Sequence, residues 1–530
     1  MTGASHAADF DVIVAGSGHN GMIAAAYLAR AGLRVAVFER RPVVGGAVCT
    51  ELDLIPGYRI DTGSSAHVMI HQTPVLRELE LDRYGLEYIE MDPFAFYPGV
   101  NGSPSLCFYR DVAKTVESIA RVSPRDAEKY GRFVEAWGEL NEKVFRVFLN
   151  PPTPFKLVSR MARGSLRGSN RTEMVRQLMS PYGQLVTEWF EHESVRTAIL
   201  WLAAQSGPPP GEVASGDFAG WHAMYHRSGM HRARGGSGAL TQALKRRILA
   251  DGGRIFEDAP VDRVLTSGGR ATGVELEGGD RYGARAVLAA CHVQTTVGRL
   301  LRDAELPAGL RERVANLRVG NGFGMIVRCA MSGLPVYPDE PVDSAGVSLA
   351  HRGLQLLCPS RQTIDDAYAD YSAGRPPANP VPLAMTFSAI DPSLAPEGKH
   401  TLFVWGQYHP HTLRNGENWD DIEQREADKL LDAVDRFAPG TRGKVIDRFI
   451  QSPLEIERRF GMPRGNVMHL EMSLDQMFLF RPTSELSGYR MPIKGLYLTG
   501  ASTHPGGGVW GASGYNAARV MLRDRRNWRG

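Results

Sequence analysis

Two glycine-rich segments carry the clearest chemical purpose in this chain: Gly16-Ser17-Gly18-His19-Asn20-Gly21 near its start, and Gly500-Ala501-Ser502-Thr503-His504-Pro505-Gly506-Gly507-Gly508-Val509 near its end. Glycines at such spacing let backbone N–H groups approach phosphate oxygens with no Cβ in the way, which suits a dinucleotide. The pattern G-x-G-x-x-G is weak alone, and its surroundings make it specific. It follows Val12-Ile13-Val14-Ala15, apolar and β-branched like a buried parallel strand, and it opens Met22 to Ala31, an alanine-rich helical stretch. Gly16 permits the turn, Gly18 the approach to a pyrophosphate, and Gly21 the close packing of helix on strand. His19 and Asn20 fall at the helix N-terminus, whose partial positive charge faces the phosphates. A second strand, Arg34 to Phe38, delivers Glu39 roughly 20 residues past the first glycine, where a carboxylate bonds ribose hydroxyls and disfavours a 2′-phosphate.

NAD and FAD share that fingerprint, and the residues after Glu39 discriminate between them: Arg40-Arg41-Pro42-Val43-Val44-Gly45-Gly46-Ala47-Val48-Cys49. Here the chain resembles the FAD-binding flavoproteins of the amine oxidase and phytoene desaturase superfamily, whose second glycine pair passes close to the flavin side of the pyrophosphate. The resemblance implies FAD as cofactor, with contacts from Arg40, Arg41, Gly45, Gly46 and Ala47. Many members carry Arg where this chain has Ala47. That departure leans toward the branch of carotenoid ketolases and pyridine nucleotide-disulphide oxidoreductase domain 2 proteins. Ile55 to Ser65 resembles the extended segment beside the isoalloxazine ring, with His67 following it toward substrate. Val261 is implied to give its backbone to the adenine. At the far end, Gly495 to Gly500 reads as a buried strand, and Gly506 to Val509 as the entry to a helix through Ala518. Gly500, Gly508 and Val509 then meet the flavin, and the helix dipole faces the pyrimidine ring, where reduction deposits negative charge. His504 is the best-placed imidazole for catalysis, with His67 and Tyr515 behind it and Trp510 in the pocket wall.

The 530 residues, 58.1 kDa, exceed one comfortable core. The expected fold class is α/β: a discontinuous Rossmann-type FAD-binding domain with an α+β substrate domain of mixed sheet plus helical cap. The chain is expected to open with an FAD-binding segment over 1–112, followed by a helical cap over 113–225. It returns to the FAD-binding domain over 226–309, builds the substrate-domain sheet and helices over 310–452, and closes with a last FAD-binding segment over 453–530. Apolar spacing predicts helices over Ala113 to Ala120, Asp126 to Val147 and Arg171 to Glu193. Alternation predicts strands over Phe323 to Cys329, Pro382 to Ala389 and His400 to Tyr408, and composition predicts a loop over Asp365 to Pro380. Phe155 to Arg167 alternates apolar and basic residues, a pattern that suits either a membrane surface or an ordinary solvated helix.

A formal net charge of +3 is too small to indicate nucleic acid. The 5 cysteines are scattered without a C-x-x-C pair, which supports neither dithiol chemistry nor a cysteine zinc site and suits a reducing compartment. Cys49 reads as small buried packing rather than a covalent flavin attachment. His400, His409 and His411 lack an acid at an orthodox ligand spacing and read as solvated strand-end residues. No apolar run approaches a bilayer span, so a cytoplasmic protein is expected, with peripheral membrane association as the variant. The expected activity is FAD-dependent desaturation or dehydrogenation: hydride and proton leave adjacent carbons of an apolar or alicyclic substrate such as a carotenoid, another isoprenoid or a cyclic ketone or acid. Oxygen or a quinone is the expected electron acceptor. A flavin amine oxidase and a non-catalytic flavin-binding interaction protein are the alternatives.

Overall fold

The computed structural model describes residues 8–152, 170–338 and 340–529. Strand Phe10–Ala15 is buried at every position and pairs in parallel with Val35–Phe38 on one side and with Arg281–Ala289 on the other. Such unbroken apolar strands belong to a sheet covered on both faces. Arg254–Phe256 extends the sheet beyond Val35–Phe38, while Leu496–Leu498 pairs in parallel with Arg281–Ala289. Val261–Ser267 and Arg270–Leu276 complete it as an antiparallel meander. Helices His19–Arg30, Ala239–Ala250 and Ala512–Asp524 pack against one face through Met22, Ile23, Leu240, Leu244 and Val520. Phe38 and Phe256 stack on the other at 4.7 Å. The sheet is assembled from three separated stretches of chain, the discontinuity that the sequence predicts.

A second sheet has the order 445–451, 322–331, 400–410, 381–385, 354–356, 95–97 and 106–108. Its first members are long antiparallel strands, Gly322–Met331 against His400–Pro410. Ala95–Tyr97 and Leu106–Phe108 lie in this sheet, so the chain leaves the nucleotide-binding sheet before residue 112. The strand expected over Pro382 to Ala389 ends at Met385 and passes into a tight 3-10 turn at Phe387–Ala389. The stretch expected as a loop from Asp365 forms most of a helix, Arg361–Ser372. Ser360 caps it by accepting from the Thr363 N–H, and Ile364 and Ala367 are its buried stripe. Its Tyr368 and Tyr371 pack toward buried Tyr408 at 5.1 and 5.9 Å, so they are helix packing rather than loop punctuation.

The cap begins with Val112–Ala120 and the 25-residue helix Pro124–Phe148, which Ser123 caps by accepting from the Asp126 N–H, with Pro124 in the first turn. The helix expected over Arg171 to Glu193 is broken at Pro181 into Asn170–Met179 and Tyr182–Trp189, and Glu193–Ala204 follows. Gly216–Gly220 crosses beneath Trp137 so closely that a Cβ on Gly220 would come within 2.0 Å of the indole ring. The basic amphipathic piece Phe155 to Arg167 lies outside the described residues.

One polar contact fastens the pieces together. Asp61, 6% exposed in its side chain, pairs with Arg232, 1% exposed, at 2.7 Å. Its other oxygen accepts from Thr50 Oγ at 2.6 Å and from the Ser237 N–H at 2.8 Å. Removing one member of a buried pair strands the other charge, so Asp61→Asn is expected to cost about 3–5 kcal/mol, read as a lowered denaturant midpoint. Loss of under about 1 kcal/mol would mean that water compensates Arg232.

Candidate functional site

The turn after Phe10–Ala15 begins at Gly16, with φ of +102°, a conformation that favours glycine. Ser17 gives its N–H and Oγ–H to one oxygen of Glu39, at 2.9 and 2.6 Å, and the Arg41 N–H reaches the other at 3.0 Å. Glu39 is thereby fixed at the end of its strand, and its backbone oxygen takes the Ala259 N–H at 2.7 Å. Val261 follows two residues later, buried, with its carbonyl accepting from Arg299 at 2.8 Å. The residues expected at the adenosine end are therefore neighbours.

The glycines divide by what a side chain would meet. A Cβ on Gly21 would lie 2.7 Å from both the Ala290 Cβ and the Gly16 oxygen, and one on Gly45 would lie 2.3 Å from the Val48 oxygen. Gly45 bridges Gly18, and Gly46 stacks on Gly18, where its Cβ would sit 3.1 Å from that Cα. A Cβ on Gly18 itself would meet nothing within 4 Å. Gly18 thus borders open space directly over a helix N-terminus, the geometry a pyrophosphate requires, and the residues present fit a dinucleotide.

The second glycine segment closes on the first. Gly500 (φ +113°) donates its N–H to Ser513 Oγ at 3.0 Å. The helix starts at Ala512 after a left-handed Gly511, later than the expected entry at Gly506, so Gly506 to Val509 form an irregular loop before it. Gly514 lies against Asn20: a Cβ there would be 2.2 Å from the Asn20 oxygen, and the Gly514 N–H donates to Asn20 Oδ1 at 3.2 Å. His19 hydrogen-bonds the backbone of Gly508, and burial lowers its pKa to about 4, so a neutral ring joins the two segments. Gly508 (φ +97°) faces Met69 Sδ and the Trp510 indole, and Val509 is half-buried beside the first helix. Both helix N-termini point their partial positive charge into one space.

Arg481 holds this loop. Fully buried, it donates to the carbonyls of Ala501, Glu471, Gln476, Met468 and Leu470. Burial pulls its pKa down to about 9. The basic residues expected at the cofactor also have protein partners. Arg41 pairs with Glu51 at 2.7 Å beside the Phe460 ring, and Arg40 reaches the carbonyls of Arg458 and Arg459, completing a helix C-terminus. Ala47 accepts the Ser64 N–H at 2.7 Å and packs so tightly on Gly63 that no Cβ fits there. Cys49 is buried, with Sγ 3.0 Å from Thr62 Oγ, and burial raises its pKa.

The three residues expected in catalysis do not converge. His67 is fully buried, with Nδ1 on the Tyr88 hydroxyl at 2.9 Å and Nε2 on Ser237 Oγ at 2.7 Å, so both nitrogens are occupied; burial and Arg232 keep it neutral. Tyr515 faces Tyr27 of the first helix at 5.4 Å with Arg519 over its ring. His504 alone joins the aromatic cluster, 5.6 Å from Phe148 and 6.2 Å from Phe478, and its Nδ1 has no partner. Burial lowers its pKa to about 3, and the Tyr489 hydroxyl donates to its carbonyl at 2.8 Å.

Trp510, expected in the pocket wall, is joined by residues without a signature in the sequence. Trp510 packs among Phe145, Phe148 and Trp221 at 5.3, 5.2 and 6.2 Å. His469, with Nδ1 3.1 Å from Ser502 Oγ, lies near His292 and is held neutral by burial. Asp217 sits one helical turn before Trp221 in the cap, half-buried, and desolvation raises its pKa to about 7. The histidines of the second sheet behave differently from expectation. His409 is buried, with Nδ1 3.0 Å from the Gly406 carbonyl, whereas His411 pairs with Glu457 at 2.6 Å. Among the described residues no group of three or more His, Cys, Asp or Glu side chains is placed to hold a metal.

A discontinuous Rossmann-type domain with two glycine-capped helix N-termini, set against a mixed-sheet and helical substrate domain, defines a FAD-dependent oxidoreductase. The chain belongs to the family described as flavin containing amine oxidoreductase, which matches residues 21–522. It is 34% identical over 553 aligned residues to pyridine nucleotide-disulfide oxidoreductase domain-containing protein 2 of Rattus norvegicus, covering 98% of this chain and 94% of that protein. It is 27% identical to a limonene dehydrogenase subunit of Castellaniella defragrans, covering 97% and 94% respectively. In fold it is similar to the solved structure of an oxidoreductase from Methanosarcina mazei, with a TM-score of 0.63, 17% identity, and coverage of 97% of this chain and 99% of that one. Among the described residues no helix is long and apolar enough to cross a membrane.

The glycine geometry separates binding from folding. Gly18→Ala should leave the apoprotein's melting temperature unchanged while weakening FAD binding by about tenfold or more, read by flavin fluorescence titration. Gly21→Ala should lower stability itself by ~1–3 kcal/mol. The reverse pattern would remove Gly18 from the cofactor site. Asp217 makes a separate prediction. Because its folded pKa lies near 7, above the ordinary 3.8, the folded chain retains a proton that the unfolded chain has lost, and stability falls as pH rises between those values. Asp217→Asn should therefore raise the melting temperature at pH 8 more than at pH 5. An equal change at both pH values would show an ordinary carboxyl.

Proposed function

We propose that the protein dehydrogenates a small apolar or alicyclic substrate, removing hydride and proton from adjacent carbons to form a C=C bond, with oxygen or a quinone taking the electrons afterward. The observation that carries this reading is the ring cluster beside the flavin loop. Trp510 follows Gly508 by two residues and is walled by Phe145, Phe148 and Trp221, with Met69 opposite. All four rings are buried and pack on one another, so the cluster is a dry, apolar wall beside the loop. The relative named limonene dehydrogenase bears a name that specifies a cyclic hydrocarbon, which supports the same class here.

FAD, when bound, supplies the hydride acceptor. The Gly16 to Gly21 turn and Glu39 would hold its adenosine and phosphates, and the Gly500 to Val509 loop its ring. The remaining steps belong to the chain. The aromatic cluster orients the substrate and excludes water. His504 takes the proton at Nδ1, the ring nitrogen left without a partner. A base with a pKa of about 3 is sufficient only for a strongly acidified C–H, such as one beside a carbon made cationic by hydride loss from an allylic position. Tyr489, through its bond to the His504 carbonyl, positions the loop.

Anaerobic addition of limonene to the FAD-loaded protein should bleach the flavin band and yield a product lighter by two hydrogens. A panel of primary and alicyclic amines should leave the band unchanged. His504→Gln should slow formation of that product about 100-fold with full flavin occupancy. Bleaching by amines with release of ammonia would replace this reading with amine oxidation, and no bleaching by hydrocarbons, alcohols or amines would favour a binding role without turnover.

A further inference from the structure

The parallel strands Phe10–Ala15, Arg281–Ala289 and Leu496–Leu498 lie side by side, and their carboxyl ends lead into His19, His292 and Ser502. A dinucleotide lies across such strand ends in a sheet of this kind. His469 is brought to the same place from outside the sheet. Its neighbour Met468 packs so closely on the flavin loop that a Cβ on Gly507 would fall 2.5 Å from the Met468 sulfur, and the Met468 carbonyl accepts from Arg481 at 2.8 Å.

His469 is fixed by its backbone and by its ring. His292 accepts the Gln294 N–H at Nδ1, at 3.1 Å, so its Nε2 carries the hydrogen and donates to the His469 carbonyl at 2.9 Å. Ser502 Oγ accepts the Val293 N–H at 3.1 Å and lies 3.1 Å from His469 Nδ1. The hydroxyl proton of Ser502 has no other acceptor among the described residues, so it goes to Nδ1 and leaves the imidazole hydrogen of His469 on Nε2. Nε2 itself has no partner among the described residues. The backbone here is left-handed, with φ of +65°, uncommon outside glycine, and such strain held by dedicated bonds marks a placed side chain.

The unpartnered nitrogen belongs to a ring that borders an interior space. His19 and His469 both keep part of their surface uncovered, yet burial lowers the pKa of the first to about 4 and of the second well below the ordinary value. A ring on the outer surface would stay hydrated and keep its ordinary pKa. The two are near enough that the charge of one bears on the other. His19 is already committed to Asn20 at 3.1 Å and to the backbone of Gly508, whereas His469 has a donor to give.

We infer that His469 donates its Nε2–H to the pyrophosphate of bound FAD, and that Ser502 and His292 are positioning residues that fix its tautomer and place. A neutral N–H serves an anion at a helix N-terminus without burying a full positive charge beside it. This role is independent of the substrate class proposed above.

Calorimetric titration of the apoprotein tests it with FAD, with ADP, which keeps the pyrophosphate, and with riboflavin, which has none. His469→Asn keeps a polar atom beside Ser502, suits a left-handed backbone and lacks the outer N–H. It should weaken FAD and ADP alike by about tenfold, as loss of a hydrogen bond to a charged group does, and leave riboflavin within about twofold. His469→Gln carries an amide N–H to the level of Nε2 and should hold both losses below about threefold. In the FAD-loaded protein, the pyrophosphate resonances in phosphorus NMR should move in His469→Asn, a readout that decides the matter even where a fragment binds too weakly to titrate. Unchanged FAD affinity with unmoved phosphorus resonances would leave His469 as loop packing and overturn the inference. A loss confined to FAD and riboflavin would overturn it by moving the contact to the flavin ring or its ribityl chain, and equal losses for all three ligands would do so by exposing a folding defect.

Discussion

The contact on which the rest of the molecule depends is the approach of two helix N-termini whose residues are almost 500 positions apart, Gly514 against the backbone of Asn20. No side chain fits between them. Because each helix carries about half a positive charge at its start, bringing both together concentrates a field that anionic phosphates and an electron-rich ring offset. Without such a ligand the arrangement is a cost, since like ends of two dipoles repel. His19 and Asn20 lessen that cost by hydrogen bonding across the gap. The fold therefore stores its affinity for a dinucleotide in backbone placement rather than in charged side chains.

That reasoning explains why the arginines of the cofactor region look inward. Arg41 and Arg40 neutralise Glu51 and complete a helix end, and Arg481 serves five carbonyls of the loops around it. A cation buried at such depth persists because its hydrogen-bonding capacity is filled, and its contribution is shape. Asp61 and Arg232 do the same across the boundary between the two sheets' neighbourhoods, tying the segment beside the expected flavin ring to the strand that returns from the cap.

Much of the cofactor half is legible in the sequence because backbone approach demands glycine, and glycine at a fixed spacing is visible one residue at a time. Gly16, Gly18 and Gly21 are read in that way, and the structure places them where the first strand passes into its helix, with Glu39, at the end of the neighbouring strand, bonded to Ser17 between them. The protein partners of Arg40 and Arg41 are not legible because a guanidinium reaches six or seven bonds from its Cα, and sequence spacing says nothing about which acceptor it meets. His67 reads as free in the sequence for the same reason: Tyr88 and Ser237 come from positions 21 and 170 residues away. The Arg361–Ser372 helix is hidden by its composition, since only Ile364 and Ala367 mark its buried stripe.

The substrate half resists reading for a different physical cause. Its aromatic cluster is made of side-chain contacts, and Trp510, Phe148 and Trp221 meet only when three distant segments fold together. A tryptophan in a cap helix has the same signature whether it is core or pocket. Satisfaction helps to separate the two: Trp419 donates to the Pro410 carbonyl at 2.9 Å and Trp201 to that of Pro382 at 3.2 Å, as core residues do. Trp137, Trp221 and Trp405 find no acceptor, and of these Trp221 lines a small cavity in the cap. Hydrogen-bond satisfaction therefore separates buried rings that residue type and spacing cannot.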